Sequence, residues 1–166
     1  MPNKEIERKF LLKDCDIVTI LQFANLKYQK SDIIQAYLEA KEGYSKRIRK
    51  DNEYYTMTTK EGFDTLNRTE NEKEISQDEF EELLPQTIGI IEKTRYRFES
   101  PHFKELCVDI FISPVHYIIA EVEYKDANDI KKFPIPQWIE KLMEKEVTKD
   151  KKYLNSYIAT KGKSKD

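Results

Sequence analysis

The chain consists mainly of short segments in which Tyr, Ile, Val, Phe and Thr alternate with polar residues. Such segments are typical of strands that bury one face. They predict eight strands, near 4–12, 33–40, 44–50, 53–60, 67–75, 91–99, 105–113 and 117–125. Turn-forming residues separate the segments, at Glu42-Gly43, Asp51-Asn52, Gly62-Phe63-Asp64, Ser100-Pro101 and Ser113-Pro114.

Helical patterns fill the intervals between these strands. Residues 15–27 suit an amphipathic helix, and the capping box Ser76-Gln77-Asp78-Glu79 predicts a helix over 77–84. Further helices are predicted over 126–132, from Pro136 onwards and over 149–159. Strands with helices between them predict an α+β fold with a mainly antiparallel sheet.

Charged residues follow one face of almost every predicted strand. Side chains alternate between the faces of a strand, so residues two apart share a face. The residues that share the charged parity are Glu5, Glu7, Lys9, Arg47, Arg49, Lys60, Arg68, Glu70, Glu72, Glu74, Lys93, Arg95, Arg97, Asp109, Glu121 and Glu123. For one strand alone, a solvated face is the simpler interpretation, because antiparallel sheets often expose one face to water.

For the whole set, that interpretation weakens. Three Glu-x-Glu pairs and two basic pairs exceed what solubility needs, and like charges stacked across strands repel each other. Carboxylates are ligands for Mg²⁺ or Mn²⁺, and Arg and Lys bind phosphoryl oxygens. The pattern therefore indicates a site for a polyanion with metal ions. A closed eight-stranded barrel could hold such a set inside, with apolar outer faces covered by the helices.

The amino-acid composition excludes several classes of protein. The chain has 166 residues, of which 36% are charged, yet its net charge is only -2. That balance argues against a strongly basic nucleic-acid binder, and the aromatic content argues against disorder. The four glycines form no phosphate-binding loop, so any phosphate must be bound by side chains. We expect one domain over 1–160 with a disordered tail over 161–166.

The chain also lacks features of secreted or membrane proteins. No apolar signal region opens it, and no apolar stretch is long enough to cross a bilayer. Cys15 and Cys107 have no metal-ligand spacing, which favours a reduced, cytoplasmic protein. We expect no nucleic-acid or membrane partner, and the sequence is compatible with a homodimer.

An ordered series of motifs resembles the CYTH, or triphosphate tunnel metalloenzyme, family. The opening Glu5-Ile6-Glu7-Arg8-Lys9-Phe10 matches the family's E-x-E-x-K motif. The series continues with Arg47-Ile48-Arg49, Thr59-Lys60, Glu72-Lys73-Glu74, Glu92-Lys93-Thr94-Arg95-Tyr96, Val108-Asp109-Ile110-Phe111 and Glu121-Val122-Glu123-Tyr124, and ends with the segment 146–155. One such motif would be weak, but the ordered series covers essentially the whole chain and looks like the short bacterial tripolyphosphatase-type members.

The resemblance implies an eight-stranded antiparallel tunnel that binds a linear triphosphate with Mg²⁺ or Mn²⁺. It implies metal ligands at Glu5, Glu7, Asp109, Glu121 and Glu123. It implies substrate-binding residues at Lys9, Arg47, Arg49, Lys60, Lys93, Arg95, and Lys151 or Lys152. The catalytic set would comprise Glu5, Glu7, Lys9, Glu72 and Glu74; the pair Glu72/Glu74 either binds metal or balances basic neighbours.

The favoured function is metal-dependent hydrolysis of inorganic tripolyphosphate to pyrophosphate and phosphate. The family also contains adenylate cyclases and thiamine triphosphatases, so these activities, or a nucleoside triphosphatase, remain alternatives. A non-catalytic polyphosphate-binding module and a structural domain with solvated charged strands are further alternatives. Seven acids for six bases argue against simple anion binding, which needs bases alone.

Overall fold

The computed structural model describes residues 3–62 and 68–161. Within these ranges the strands are β1 Asn3–Glu5, β2 Glu7–Leu12, β3 Tyr28–Lys41, β4 Tyr44–Asp51, β5 Tyr54–Glu61, β6 Arg68–Glu74, β7 Gly89–Phe98, β8 Glu105–Ser113, β9 Ile118–Glu123 and β10 Met143–Glu146. The helices are α1 Ile17–Ala24, α2 Gln77–Leu83, α3 Asp129–Lys132, α4 Gln137–Leu142 and α5 Asn155–Lys161. Single 3₁₀ turns lie at Leu84–Gln86 and Lys151–Tyr153.

All strands belong to one antiparallel sheet, in the order β1-β6-β5-β4-β3-β7-β8-β9-β2-β10. The α+β class and the antiparallel sheet are confirmed. The predicted closed barrel of eight strands needs correction, because the first predicted strand is divided at Ile6 and β10 was not expected. The predicted turn residues 63 and 64, the strand start at residue 67 and the predicted tail beyond residue 161 lie outside the described residues.

The sheet curls into a barrel-like shape although its hydrogen-bonded ladder does not close. β1 pairs with β6 at one edge of the sheet, whereas β2 pairs with β9 near the other edge. A single residue, Ile6, separates the two strands, and its carbonyl accepts a hydrogen bond from the Tyr124 amide (2.8 Å). Since β1 and β2 are consecutive in the chain, the two ends of the sheet must lie close together.

Helices cover two parts of the outer face. The α1 and α4 residues Ile20, Trp138 and Ile139 are buried against strand residues such as Phe98 and Val122. Elsewhere, Phe80 of α2 packs with residues of β3 and β4. The Ser76 side chain caps α2 by accepting a hydrogen bond from the Glu79 amide (3.0 Å), as the capping box predicts.

The inner face is apolar toward one end of the barrel. There, Leu11, Tyr37, Ile91, Phe111 and Ile119 form a buried cluster with Val147 and with Ile158 of α5. The strand residues of this cluster have the same parity as the charged inner side chains, so they continue the same face. Burying a side chain such as Ile158 contributes about 1.5–3 kcal/mol. Helix α5 therefore covers an apolar end of the barrel.

Helix α5 lies unusually close to β7. A Cβ atom at Gly89 would lie only 2.3 Å from the Ala159 carbonyl oxygen. Glycine is thus required at this position by the approach of the helix backbone, and it lets α5 seat directly against the strand.

No helix in the described part of the chain is long and apolar enough to cross a bilayer.

Candidate active site

The charged inner faces of the strands surround a cavity of about 200 Å³. Each of the described residues that line it is charged or polar: Glu5, Glu7, Arg47, Arg49, Lys60, Glu70, Glu72, Arg95, Arg97, Glu105, Glu121, Glu123 and Asn155. Asn155 comes from the start of α5, and the others come from the sheet. Strand alternation explains the arrangement, because a curled sheet turns all side chains of one parity toward its axis.

A buried ion cluster underlies this lining. Asp109 on β8 has no exposed surface and accepts hydrogen bonds from Arg95 Nε (2.6 Å) and Arg95 Nη2 (2.8 Å). Lys93 Nζ donates to the same carboxylate (2.7 Å) and to Asn155 Oδ1 (3.1 Å). Burial alone would raise the pKa of Asp109, but the charges of Arg95 and Lys93 hold it well below its usual range. Asp109 is therefore the counter-ion of Arg95, which lines the cavity, and of Lys93, which lies buried behind the lining.

Glutamates on β1, β2 and β9 form the acidic wall. Glu5 accepts a hydrogen bond from Lys60 Nζ (2.8 Å); although burial opposes it, the charges of Lys60, Arg68 and Arg47 hold the pKa of Glu5 at about 2. Among the described residues, the cation nearest to Glu7 is Lys9, whose Nζ lies 3.9 Å from the Glu7 carboxylate. Burial and the charges of Glu5 and Glu121 raise the pKa of Glu7 well above its usual range.

Glu123 extends the acidic wall toward more exposed residues. Burial, together with the charges of Glu5, Glu105 and Glu70, raises the pKa of Glu123 to about 7. Nearby, Arg97 bridges two strands, with hydrogen bonds to Asp51 (2.7 Å) and Glu105 (3.1 Å). Lys104 Nζ also lies 3.5 Å from the Glu123 carboxylate. Among the described residues that line the cavity, seven carboxylates nevertheless face five cations.

Arginines of β4 form much of the basic wall. Arg49 donates to Gln35 Oε1 through Nε (3.0 Å) and Nη2 (2.8 Å), and burial beside Arg47 and Arg95 lowers its pKa to about 10. Arg47 Nε is buried and makes no hydrogen bond within the described part of the chain. This unpaired N–H group can therefore donate a hydrogen bond to a bound anion.

The structure brings most of the expected site residues to one place. Glu5, Glu7, Arg47, Arg49, Lys60, Glu72, Arg95, Glu121 and Glu123 line the cavity. Lys9, Lys93 and Asp109 are buried but do not belong to its lining. Exposed positions outside the lining are occupied by Glu74, Lys151 and Lys152. Lys151 instead contacts the Glu42 carboxylate at a different groove.

Four lining residues were not among the expected site residues: Glu70, Arg97, Glu105 and Asn155. Strand parity had already placed Glu70 and Arg97 on the charged face, although neither was assigned a role, and it extends to Glu105, which shares a face with Asp109 on β8. Asn155 belongs to the C-terminal motif, from which Lys151 and Lys152 were the expected substrate-binding residues. The Lys9 ammonium does reach this segment, because it donates to the Tyr153 carbonyl (3.3 Å).

The donor set of the acidic wall suits a divalent ion. No three acidic, His or Cys side chains within residues 3–62 and 68–161 stand together as a ready ligand cluster. However, Glu5 Oε1 is buried without a hydrogen bond among the described residues, and the buried Glu7 carboxyl has its pKa raised by burial and by the charges of Glu5 and Glu121. Hard oxygen donors in excess over nearby cations are what Mg²⁺ and Mn²⁺ require.

Comparison with known proteins places this geometry in a family. The CYTH domain model matches residues 3–154. The chain belongs to the CYTH family. The resemblance inferred from the strand motifs is thereby confirmed over almost the whole chain.

Individual family members agree with this assignment. An inorganic triphosphatase of Acetivibrio thermocellus is 31% identical over 158 residues, which cover 94% of this chain and 93% of that protein. The crystal structure of another inorganic triphosphatase is 30% identical, covers 94% of both chains and superposes with a TM-score of 0.59. A Hippeastrum protein described as a putative adenylyl cyclase with dominant triphosphatase activity shares the fold, with 14% identity, 77% and 83% coverage and a TM-score of 0.63.

Proposed function

We propose that this protein hydrolyses inorganic triphosphate to pyrophosphate and phosphate, with Mg²⁺ or Mn²⁺ as cofactor. The observation that carries the proposal is the cavity of about 200 Å³, with an exclusively charged and polar lining among the described residues. Pockets for organic ligands are usually larger, about 300–1,000 Å³, and mostly apolar. The similarity to two inorganic triphosphatases supports the same substrate class.

The cations of the cavity bind the substrate in this proposal. Arg47, Arg49, Arg95 and Lys60 converge on one small volume, where they can each donate to phosphoryl oxygens. Phosphoryl transfer depends mainly on positioning and charge stabilisation, so a covalent nucleophile is not needed. Asp109 contributes indirectly, because it fixes the Arg95 guanidinium through two hydrogen bonds.

In the same proposal, the carboxylates bind the metal cofactor and accept a proton from the attacking water. Glu5, Glu7, Glu121 and Glu123 would hold the divalent ion, which when bound supplies charge neutralisation and lowers the pKa of water. Asp109 lies outside this set in our proposal, because both of its oxygens accept hydrogen bonds from Arg95 or Lys93. In this proposal, a carboxylate of the acidic wall accepts a proton from water as the water oxygen attacks phosphorus and pyrophosphate departs.

A phosphate-release assay tests the proposal directly. Purified protein is incubated with tripolyphosphate, ATP or thiamine triphosphate, each with Mg²⁺, Mn²⁺ or EDTA. We expect fastest release from tripolyphosphate and none in EDTA. Preference for ATP or thiamine triphosphate would contradict the inorganic substrate. Binding of tripolyphosphate without release would instead identify a polyphosphate-binding module.

Two substitutions in the acidic wall and one matched control test the role of the carboxylates. Glu5→Gln should abolish metal-dependent release while the protein stays folded, because it removes one negative charge from the donor set. Glu144→Gln is the control, since Glu144 is exposed on β10 and lies outside the cavity lining. If Glu5→Gln and Glu123→Gln both keep the wild-type rate, the metal assignment is wrong.

A further inference from the structure

Asn155, the first residue of α5, connects the C-terminal helix to the charged cavity. Its side chain lines the cavity, and its Oδ1 accepts a hydrogen bond from Lys93 Nζ (3.1 Å). The Lys93 side chain is fully buried, with Asp109 as its other close partner (2.7 Å). Helix α5 itself is held by Ile158 in the apolar cluster and by its contact with Gly89. The position of Asn155 is therefore fixed by its hydrogen bond to Lys93 and by the packing of helix α5.

The contact with Lys93 also fixes which way the amide faces. An ammonium group can only donate hydrogen bonds, so the amide oxygen and not the amide nitrogen must face Lys93. The planar amide then directs its NH₂ group away from that ammonium. Within residues 3–62 and 68–161, Asn155 Nδ2 donates no hydrogen bond to the protein. A two-proton donor is thus left over on a residue of the cavity lining.

We propose that Asn155 is a substrate-binding residue, whose Nδ2 donates a hydrogen bond to a phosphoryl oxygen of the bound triphosphate. This inference rests on the proposed function for the identity of the ligand. Among the side chains lining the cavity, Asn155 comes from the C-terminal helix, whereas the cationic groups come from the strands. The C-terminal segment therefore acts on the substrate through Asn155 and not through the exposed Lys151 or Lys152.

Replacement by aspartate separates this role from a purely supporting one. Asn155→Asp keeps an oxygen acceptor for Lys93 but replaces the NH₂ donor by a carboxylate oxygen. If Asn155 only holds Lys93, this variant should weaken binding only through the repulsion of its added charge, a loss that rising ionic strength reduces. If Asn155 contacts the substrate, the variant loses a hydrogen bond to a charged acceptor and places a negative charge beside phosphate. Its affinity for tripolyphosphate should then fall at least tenfold.

The experiment measures the KM for tripolyphosphate with Mg²⁺ and the Kd of sodium tripolyphosphate by calorimetry in EDTA. Asn155→Asp and Asn155→Ala are compared with wild type and with Ser156→Ala. Ser156 lines a different groove, so its variant should match the wild type. We expect both Asn155 variants to raise KM and Kd at least tenfold, and thermal melting checks that each is folded. If one fails to fold, the other decides.

Two results would overturn the inference. One is binding within twofold of wild type for both Asn155 variants, and the other is weakened binding for Asn155→Ala with binding by Asn155→Asp that returns to the wild-type value as the ionic strength rises. A wild-type protein that binds tripolyphosphate without hydrolysing it contradicts the proposed function, and the Asn155 inference is then judged from Kd alone. A wild-type protein that neither binds nor hydrolyses tripolyphosphate contradicts both.

Discussion

Replacing Asp109 by asparagine tests whether this residue is a structural counter-ion or a metal ligand. The carboxylate has no exposed surface and accepts three hydrogen bonds, two from Arg95 and one from Lys93. Asparagine keeps the shape of the side chain but removes the charge and one acceptor. Arg95 then stays buried and charged, with Glu121 as its nearest other carboxylate among the described residues, at 3.6 Å. Lys93 loses its strongest partner; burial already lowers the pKa of its ammonium to about 7, so it releases its proton more readily in the variant.

The loss of stability should be large. Removing one partner of a buried ion pair costs about 3–5 kcal/mol, because a buried charge is left uncompensated. Domains are stable by only about 5–15 kcal/mol, so Asp109→Asn should remove a substantial part of the free energy of unfolding. At about 2–4 °C per kcal/mol for a chain of this length, Tm should fall by roughly 6–20 °C.

Urea unfolding and thermal melting in EDTA provide the assay. The matched control is Glu105→Gln on the same strand, since Glu105 is 34% exposed and its contact with Arg97 is worth at most about 1 kcal/mol. A counter-ion supports the fold without metal, whereas a residue that acts only as a metal ligand does not. If Asp109→Asn unfolds within about 1 kcal/mol of wild type in EDTA, the counter-ion assignment is wrong.

Three further predictions concern other parts of the site. The pKa of Glu123, raised to about 7, means that the folded protein binds a proton more tightly than the unfolded chain. In EDTA, the Glu123 contribution to stability should therefore be present below about pH 4.5 and be lost as the pH rises through 7. In urea unfolding, the free energy of unfolding of Glu123→Gln should fall less over this pH range than that of the wild type. An equal dependence of this free energy on pH in both proteins would contradict the assignment. Arg49→Ala should raise the KM for tripolyphosphate at least tenfold, because hydrogen bonds to charged groups contribute about 1.5–3 kcal/mol; unchanged steady-state kinetics would count against its role. Gly89→Ala should lower stability by about 1–3 kcal/mol, since its Cβ would overlap the Ala159 carbonyl, whereas Ile88→Ala at an exposed neighbouring position should change Tm little; equal melting of the two variants would argue against the close seat of α5.

The site was predictable wherever it depends on strand alternation. Side chains two residues apart share a face in any strand, so Glu5 with Glu7, Arg47 with Arg49 and Glu121 with Glu123 could be grouped without coordinates. The same rule extends to Glu70, Arg97 and Glu105, which the motifs had not singled out. Parity does not tell how far along the barrel a charged residue lies, and so it did not separate the cavity lining from the buried layer that contains Asp109.

The C-terminal segment shows the opposite case. Its motif indicated a role near the site, yet the structure leaves Lys151 and Lys152 exposed and brings Asn155 to the cavity instead. The position of helix α5 depends on its contact with Gly89, which lies 66 residues before Asn155 in the chain, and on apolar residues from several strands. No local pattern encodes such a contact.

The sequence by itself determined the antiparallel strands, the charged inner face and membership of the CYTH family, because side-chain alternation and motif order are local properties of the chain. Only the tertiary structure decided that the hydrogen-bonded ladder of the sheet does not close, and that Ile6 connects the strands at its two ends. It also decided that one end of the interior is apolar and covered by α5, and that Asp109 pairs with Arg95 and Lys93. These features arise from contacts between residues far apart in sequence. Their distances depend on sheet curvature and on helix packing, which no single segment specifies.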